Sequence, residues 1–527
     1  MKIKENITPL LFSSSDDKNK KNEIDSILLR RQQNFSNEEN FSEIKEKTMS
    51  EELSQGLSFR DKIFMKKRIK QNINIEVIQS LKNKLTIPLE LFEKCENMSV
   101  ELSKFSQILS SFRTQEINQK YLGLVGIRKL LLLSPSPIQE LIDIGIVPEI
   151  ISLLDNSPPE FQYEALRCLT IISEGTSDQV NVIVVKGVIP KIVKLMDSSI
   201  EELKIEACFI IGNLANDCPK IRDLLIKEKA YDKLLTILSS TNLNSLIKQC
   251  IEALKCFFIK MKPIPPYNIA KKAFKSIAKS MTKLQGDSDF LLNVLSILSF
   301  MTDNYKDAIK DFLEFDLIEN IIKCLDINDE YIQLLALRII GNIASGDANQ
   351  TQLLIEHNVL NYLKKALLNP SIAVRKESAW IISYIAAGTQ KQIERLISDD
   401  FLPVLEHIIE TDDIIIVKEC IWAVCNFTSV ENPEYLKKIL KQNILLIINK
   451  CFKMSNAKYL AVSLEALSNL LAFGRKSCPN GVNPIVVEME NIGMCDILEK
   501  LQYHPVEVVY EKTLKILETF FETQFVE

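Results

Sequence analysis

Histidine and tryptophan are scarce in this 527-residue chain, with three of the first (His357, His407, His504) and two of the second. Three histidines in all leave little for a zinc site, and none of the twelve cysteines stands in Cys-x-x-Cys spacing, so no metal site is expected. The cysteines fall inside apolar helical patterns, Cys168, Cys208, Cys250, Cys256 and Cys420 among them, as reduced core thiols of a cytosolic or nuclear protein do. Catalytic signatures are missing as well: there is no Gly-x-x-x-x-Gly-Lys-Ser/Thr, Gly-x-Ser-x-Gly, His-Glu-x-x-His or Gly-x-Gly-x-x-Gly. The acid pairs Asp399-Asp400 and Asp412-Asp413 lie in turns, where helix capping accounts for them. No enzyme and no cofactor are therefore expected. No run of ~18 uncharged apolar residues occurs, and the polar start after Met1 has no secretory core, so no membrane partner is predicted. The net charge of −5, from 64 basic and 69 acidic residues, is small for this length and gives no basis for direct nucleic-acid binding.

What the chain has is a beat. Gly175-Thr-Ser-Asp-Gln, Gly346-Asp-Ala-Asn-Gln and Gly388-Thr-Gln-Lys-Gln each close an apolar, Ala/Ile/Leu-rich segment, and the last two are 42 residues apart. Gly145-Ile-Val-Pro and Gly187-Val-Ile-Pro keep the same step, as do Asp316, Asn358 and Asp400. A helical period of ~40–47 residues belongs to armadillo or HEAT arrays. Such an array escapes the ~250–300-residue limit of a single core, because each repeat buries its apolar face on its neighbours. The predicted fold is all-α: a right-handed superhelical armadillo solenoid of about ten repeats, over residues 89–522. Its long inner surface suits an extended ligand.

Residues 1–88 read differently. Ser13-Ser-Ser-Asp-Asp-Lys-Asn-Lys-Lys-Asn22 has too little apolar content to fold alone, and the segment is expected to be largely disordered. Within it, Arg60-Asp-Lys-Ile-Phe-Met-Lys-Lys-Arg68 is strongly basic. Farther on, Lys262-Pro-Ile-Pro-Pro266 must be a loop, since its prolines cannot sit inside a helix.

Placing the last helix of each repeat in register yields two columns. The first is Arg167, Phe209, Glu252, Ser296, Arg338, Trp380, Trp422 and Glu465. Four residues later the second reads Ile171, Asn213, Cys256, Phe300, Asn342, Tyr384, Asn426 and Asn469. Both tryptophans fall in one column, in consecutive repeats. An Asn amide is donor and acceptor at once, so it can hold the main chain of an extended peptide; it can equally bond between repeats. Neighbouring indoles form slots for the stems of Lys or Arg, at ~0.5–2 kcal/mol each. Acids near the slots, with Glu377 and Glu419 three residues before their tryptophans, and Asp217 and Asp347 elsewhere, are expected to meet the charged heads.

These Trp-x-x-x-Asn-like pairs, with Lys376-Glu-Ser-Ala-Trp-Ile-Ile-Ser-Tyr384 and Lys418-Glu-Cys-Ile-Trp-Ala-Val-Cys-Asn426, resemble the importin-α family from about residue 100 to 522. The resemblance implies an adaptor that binds nuclear localisation signals, links them to importin-β, shuttles between cytoplasm and nucleus, and is recycled by an export receptor of the CAS type. It also implies two peptide sites. The minor one is matched by Arg338, Asn342, Trp380, Trp422 and Asn426, with Tyr384 in place of an Asn. The major one is degraded: Asn213, Asp217 and Gly175 match, whereas Phe209 stands for one Trp, Arg167 and Glu252 for the others, and Val180 for a Thr. The carboxy-terminal site is therefore expected to dominate. Arg60, Lys66, Lys67 and Arg68 resemble the end of the arm that binds importin-β and occupies the chain's own groove. The alternative is an armadillo scaffold for a different extended ligand, since the eroded amino-terminal columns fit it too.

Overall fold

The computed structural model describes residues 85–521 apart from 97, 260–261, 285, 455 and 479–481. The basic cluster Arg60, Lys66, Lys67 and Arg68 lies outside the described residues. The described chain is helical, without strands, and divides into two compact units, 85–320 and 321–521. Each is a stack of armadillo repeats of two shorter helices and a longer third one. The third helices of the first unit are α1 (Ile117–Leu131), α2 (Pro159–Ile172), α3 (Glu201–Ala215), α4 (Asn244–Cys256) and α5 (Ser288–Asn304). Those of the second are α6 (Glu330–Ala344), α7 (Ile372–Ala386), α8 (Ile414–Phe427), α9 (Ala457–Ser477) and α10 (Glu507–Phe520). Within each unit every third helix packs on the next. Ten such helices among the described residues agree with the repeat count read from the sequence.

The 42-residue beat has two local causes. At the first, Thr176, Asp347 and Thr389 cap the helix after the third one, each in a reciprocal capping box with the Gln three residues on. The preceding glycines make room for that Gln. A Cβ on Gly175, Gly346 or Gly388 would stand 2.3, 1.8 or 2.0 Å from its Oε1. At the second, the residue opening the middle helix is left-handed: Gly145, Gly187, Lys229, Asp316, Asn358, Asp400 and Asn443 have φ between 54° and 80°. Gly, Asn and Asp tolerate that region best, which is why they mark the beat.

Burial follows helical periodicity. On α8, Ile416, Cys420, Ile421, Val424 and Phe427 are enclosed by neighbouring helices, and a buried aliphatic or aromatic side chain contributes ~1.5–3 kcal/mol. Buried thiols are pushed up by desolvation, Cys324 to about 11 and Cys451 to about 12, so they are poor nucleophiles. Near the start of the described residues Thr86 N–H donates to Glu160 Oε1 over 2.9 Å, beside the buried Ile87 and Phe92. The proline loop of the first unit is held by Arg222, donating to the Pro263 carbonyl, and by Tyr305, donating to that of Pro265, each over 2.7 Å.

Candidate functional site

Residues four apart on a third helix sit one turn from each other on the same side. In the second unit this places Trp380 and Tyr384 together on α7, and Trp422 and Asn426 together on α8. Both indoles are half-buried and neither is part of the apolar core. Trp380 lies against α6, where a Cβ on Gly341 would come within 2.3 Å of its Cζ3. The missing side chain at 341 makes the seat for the ring. Tyr384 meets Trp380 edge-on, with centroids 4.8 Å apart and planes at 73°. Trp422 has a similar neighbour in Tyr459 of α9, 6.3 Å away at 67°, and Lys418 Nζ stands 6.0 Å from the Tyr459 ring. Arg338 and Asn342 are half-buried on α6.

Asn426 is 5% exposed, and its Nδ2 has no hydrogen-bond partner. Other ladder amides differ. Asn469 Nδ2 donates to Thr428 Oγ1 over 3.2 Å, and Asn213 Nδ2 to Ser173 Oγ over 2.9 Å. Asn213 finds its hydroxyl 40 residues back, and that offset from Asn426 falls on Ala386. A buried donor without a partner is uncommon in folded proteins.

The acids lie elsewhere than the sequence suggested. Glu377 and Glu419 are 5% and 6% exposed, inside the stack rather than at an open edge. Three residues on a helix is a turn short by ~60°, enough to direct a side chain from the open face toward the adjoining helix. Asp347 is exposed, but its carboxylate caps the next helix by accepting from the N–H groups of Asn349 and Gln350.

In the first unit the matched residues serve the protein's own structure. Asn213, 9% exposed, is bonded to Ser173; Asp217 Oδ1 accepts from Ser177 Oγ over 2.9 Å; Phe209 is half-buried; Gly175 clears space for Gln179. Arg167 is 16% exposed and donates to Glu164 Oε1 over 3.2 Å, its guanidinium 5.5 Å from the Tyr163 ring centroid. The other oxygen of the fully buried Glu164 takes Arg128 Nε at 2.6 Å. Burial alone would raise the Glu164 carboxyl, but Arg128 and Arg167 outweigh it and hold it below its ordinary range. Glu174 is half-buried one residue before Gly175. Desolvation pushes its carboxyl up to about 7, against the Asn213 amide and with Glu206 adding to the rise.

Gly341, Tyr459 and Glu174 were not singled out by the sequence reading. Gly341 had a signal, because Gly precedes the ladder Asn at both 212–213 and 341–342, and Gly212 in turn lets Ala253 approach. Among the described residues no group of three His, Cys, Asp or Glu could hold a metal, and no helix is long and apolar enough to cross a membrane.

Comparison with known proteins gives the same architecture. Residues 347–387 match the armadillo/beta-catenin-like repeat, and residues 483–525 match an atypical Arm repeat. Importin subunit alpha-1b of Oryza sativa subsp. japonica is 31% identical over 400 residues, covering 75% of this chain and 74% of the relative. Importin subunit alpha-3 of Arabidopsis thaliana is 31% identical over 403 residues, 75% of each. The crystal structure of an engineered protein superposes with a TM-score of 0.60 at 21% identity, over 78% of this chain and 97% of that one, a likeness of fold. On this ground the chain is a divergent member of the importin-α family of armadillo-repeat proteins.

Proposed function

We propose that this protein is a nuclear-import adaptor that takes the basic localisation signals of its cargo, in extended form, on the third-helix face of its second unit. The observation that carries the proposal is the placement of two half-buried tryptophans outside the apolar core, at the same register of successive third helices. Trp380 and Trp422 offer faces for the stem and charge of Lys or Arg. Asn426, with Asn342, supplies donors and acceptors to the peptide main chain, which fixes its path without reading its sequence. Tyr384 keeps a hydroxyl at the intervening position and stiffens Trp380 by its edge contact. Arg338 sits at the family position for an Arg in this site.

The remainder of the role follows family likeness. The arm around Arg60 and Lys66-Lys67-Arg68 binds importin-β and otherwise competes for the groove, and an export receptor of the CAS type returns the empty adaptor to the cytoplasm. Deleting residues 1–75 should then raise cargo affinity. The site itself is tested with a labelled lysine-rich peptide and the pair Trp380→Ala, Trp422→Ala. The expected result is a loss of affinity of at least about tenfold, the size of two cation–π contacts. Unchanged affinity in that pair, with binding abolished by changes at Asn213, would place the site in the first unit instead. A chain that captures neither importin-β nor a basic peptide is a scaffold for another ligand.

A further inference from the structure

Arg167, 16% exposed, stands on α2 at the register of Phe209, Trp380 and Trp422. It has what a cationic side chain from a peptide would seek: an aromatic ring, Tyr163, at 5.5 Å, and the carboxylate of Glu164 at 3.2 Å. Glu164 lies three residues before it, the offset of Glu377 from Trp380 and of Glu419 from Trp422. Its second oxygen is taken by Arg128, so two guanidiniums share one buried carboxylate. We propose that Arg167 is a built-in occupant of the first unit's ladder, a specificity residue whose guanidinium fills the place of a cargo cation and closes that position to basic peptides. This deepens the proposed function and rests on it for the kind of ligand excluded.

The surroundings favour such a role. Three acids stand nearby: Glu206, three residues before Phe209; Glu174, beside Asn213; and Asp217. With Arg167 in place an incoming ammonium meets a like charge and a covered ring. Without it Glu164 and Arg128 are left one to one, and Glu206 and Asp217, joined by Glu174 above about pH 7, give the position a net negative charge. Phe209 then supplies an aromatic surface at the next rung.

The experiment uses the full-length chain carrying Trp380→Ala and Trp422→Ala, which silences the second unit's site, with fluorescence anisotropy of a labelled lysine-rich peptide as readout. Adding Arg167→Ala is expected to tighten peptide binding by about tenfold or more, the effect of removing one like charge a few ångströms away at a partly solvated site. The gain should shrink with salt. Arg167→Gln, which keeps a polar side chain, serves as a second variant, with circular dichroism confirming the fold of both. Folded variants that bind no more tightly than their parent overturn the proposal. Calorimetry of the unaltered protein decides independently: one equivalent of peptide, lost on the Trp changes, supports it, and a second equivalent retained after those changes overturns it. Loss of the Trp-dependent equivalent tests the proposed function; appearance of the Arg167-dependent one tests this inference.

Discussion

Asn213 commits its amide to Ser173 of the preceding third helix, whereas Asn426, at the same place in its own repeat, has Ala386 at that offset and no acceptor. The two should therefore respond oppositely to truncation. Asn213→Ala loses an inter-repeat hydrogen bond and is expected to cost about 1 kcal/mol of stability while leaving peptide affinity alone. Asn426→Ala is expected to weaken peptide binding several-fold with a smaller effect on denaturant midpoint. Glu174 makes a second prediction at this scale. Its carboxyl is raised by burial to about 7, so between roughly 4.5 and 7 the folded protein holds a proton that the unfolded chain has released. The folded state is stabilised relative to the unfolded one at the acid end of that window and loses this contribution as pH rises through it. Glu174→Gln removes the dependence. The melting temperature of the variant, relative to the unaltered protein, should rise between pH 5 and pH 8, and a constant difference would show that Glu174 is not buried as described. Sequence left open whether a ladder Asn bonds between repeats or faces a ligand and gave no sign of Glu174, because both effects depend on which side chain the neighbouring repeat presents.

At the scale of the element, the helices and their punctuation were legible and the contacts between them were not. Gly175, Gly346 and Gly388 were read as helix stops; the space they leave for the capping Gln shows why glycine is needed there. Lys229 keeps the left-handed beat of Gly187 and Asn358 with no residue type to advertise it. Glu377 and Glu419 stand at the right spacing for slot acids, yet their helices turn them inward. Gly341 is the element-scale counterpart. It lets Trp380 of α7 lie across α6, so Gly341→Ala is expected to displace the indole, shift its emission and lower peptide affinity, while the helix itself gains intrinsic propensity. Peptide affinity equal to that of the unaltered protein would mean that the position of Trp380 against α6 is immaterial.

For the molecule as a whole, the armadillo architecture and the family follow from a period of 42 residues and from agreement with relatives at 31% identity. The asymmetry between the two units was also legible, since the columns themselves differ: aromatic residues and Asn in one, Arg167, Cys256 and Ile171 in the other. What sequence left open is how each unit meets those departures. The first turns its matched residues inward, as helix caps, inter-repeat bonds and the Arg128–Glu164–Arg167 cluster. The second sets its indoles at the register that Phe209 holds in the first, half-buried and outside the apolar core. Because Trp380 and Trp422 are the only tryptophans of the chain, intrinsic emission reports on this face without background. Titration of the full-length protein with an unlabelled lysine-rich peptide should change that emission saturably, with the same midpoint as calorimetric binding. Binding heat that saturates while tryptophan emission stays fixed would contradict the assignment of the peptide to this face.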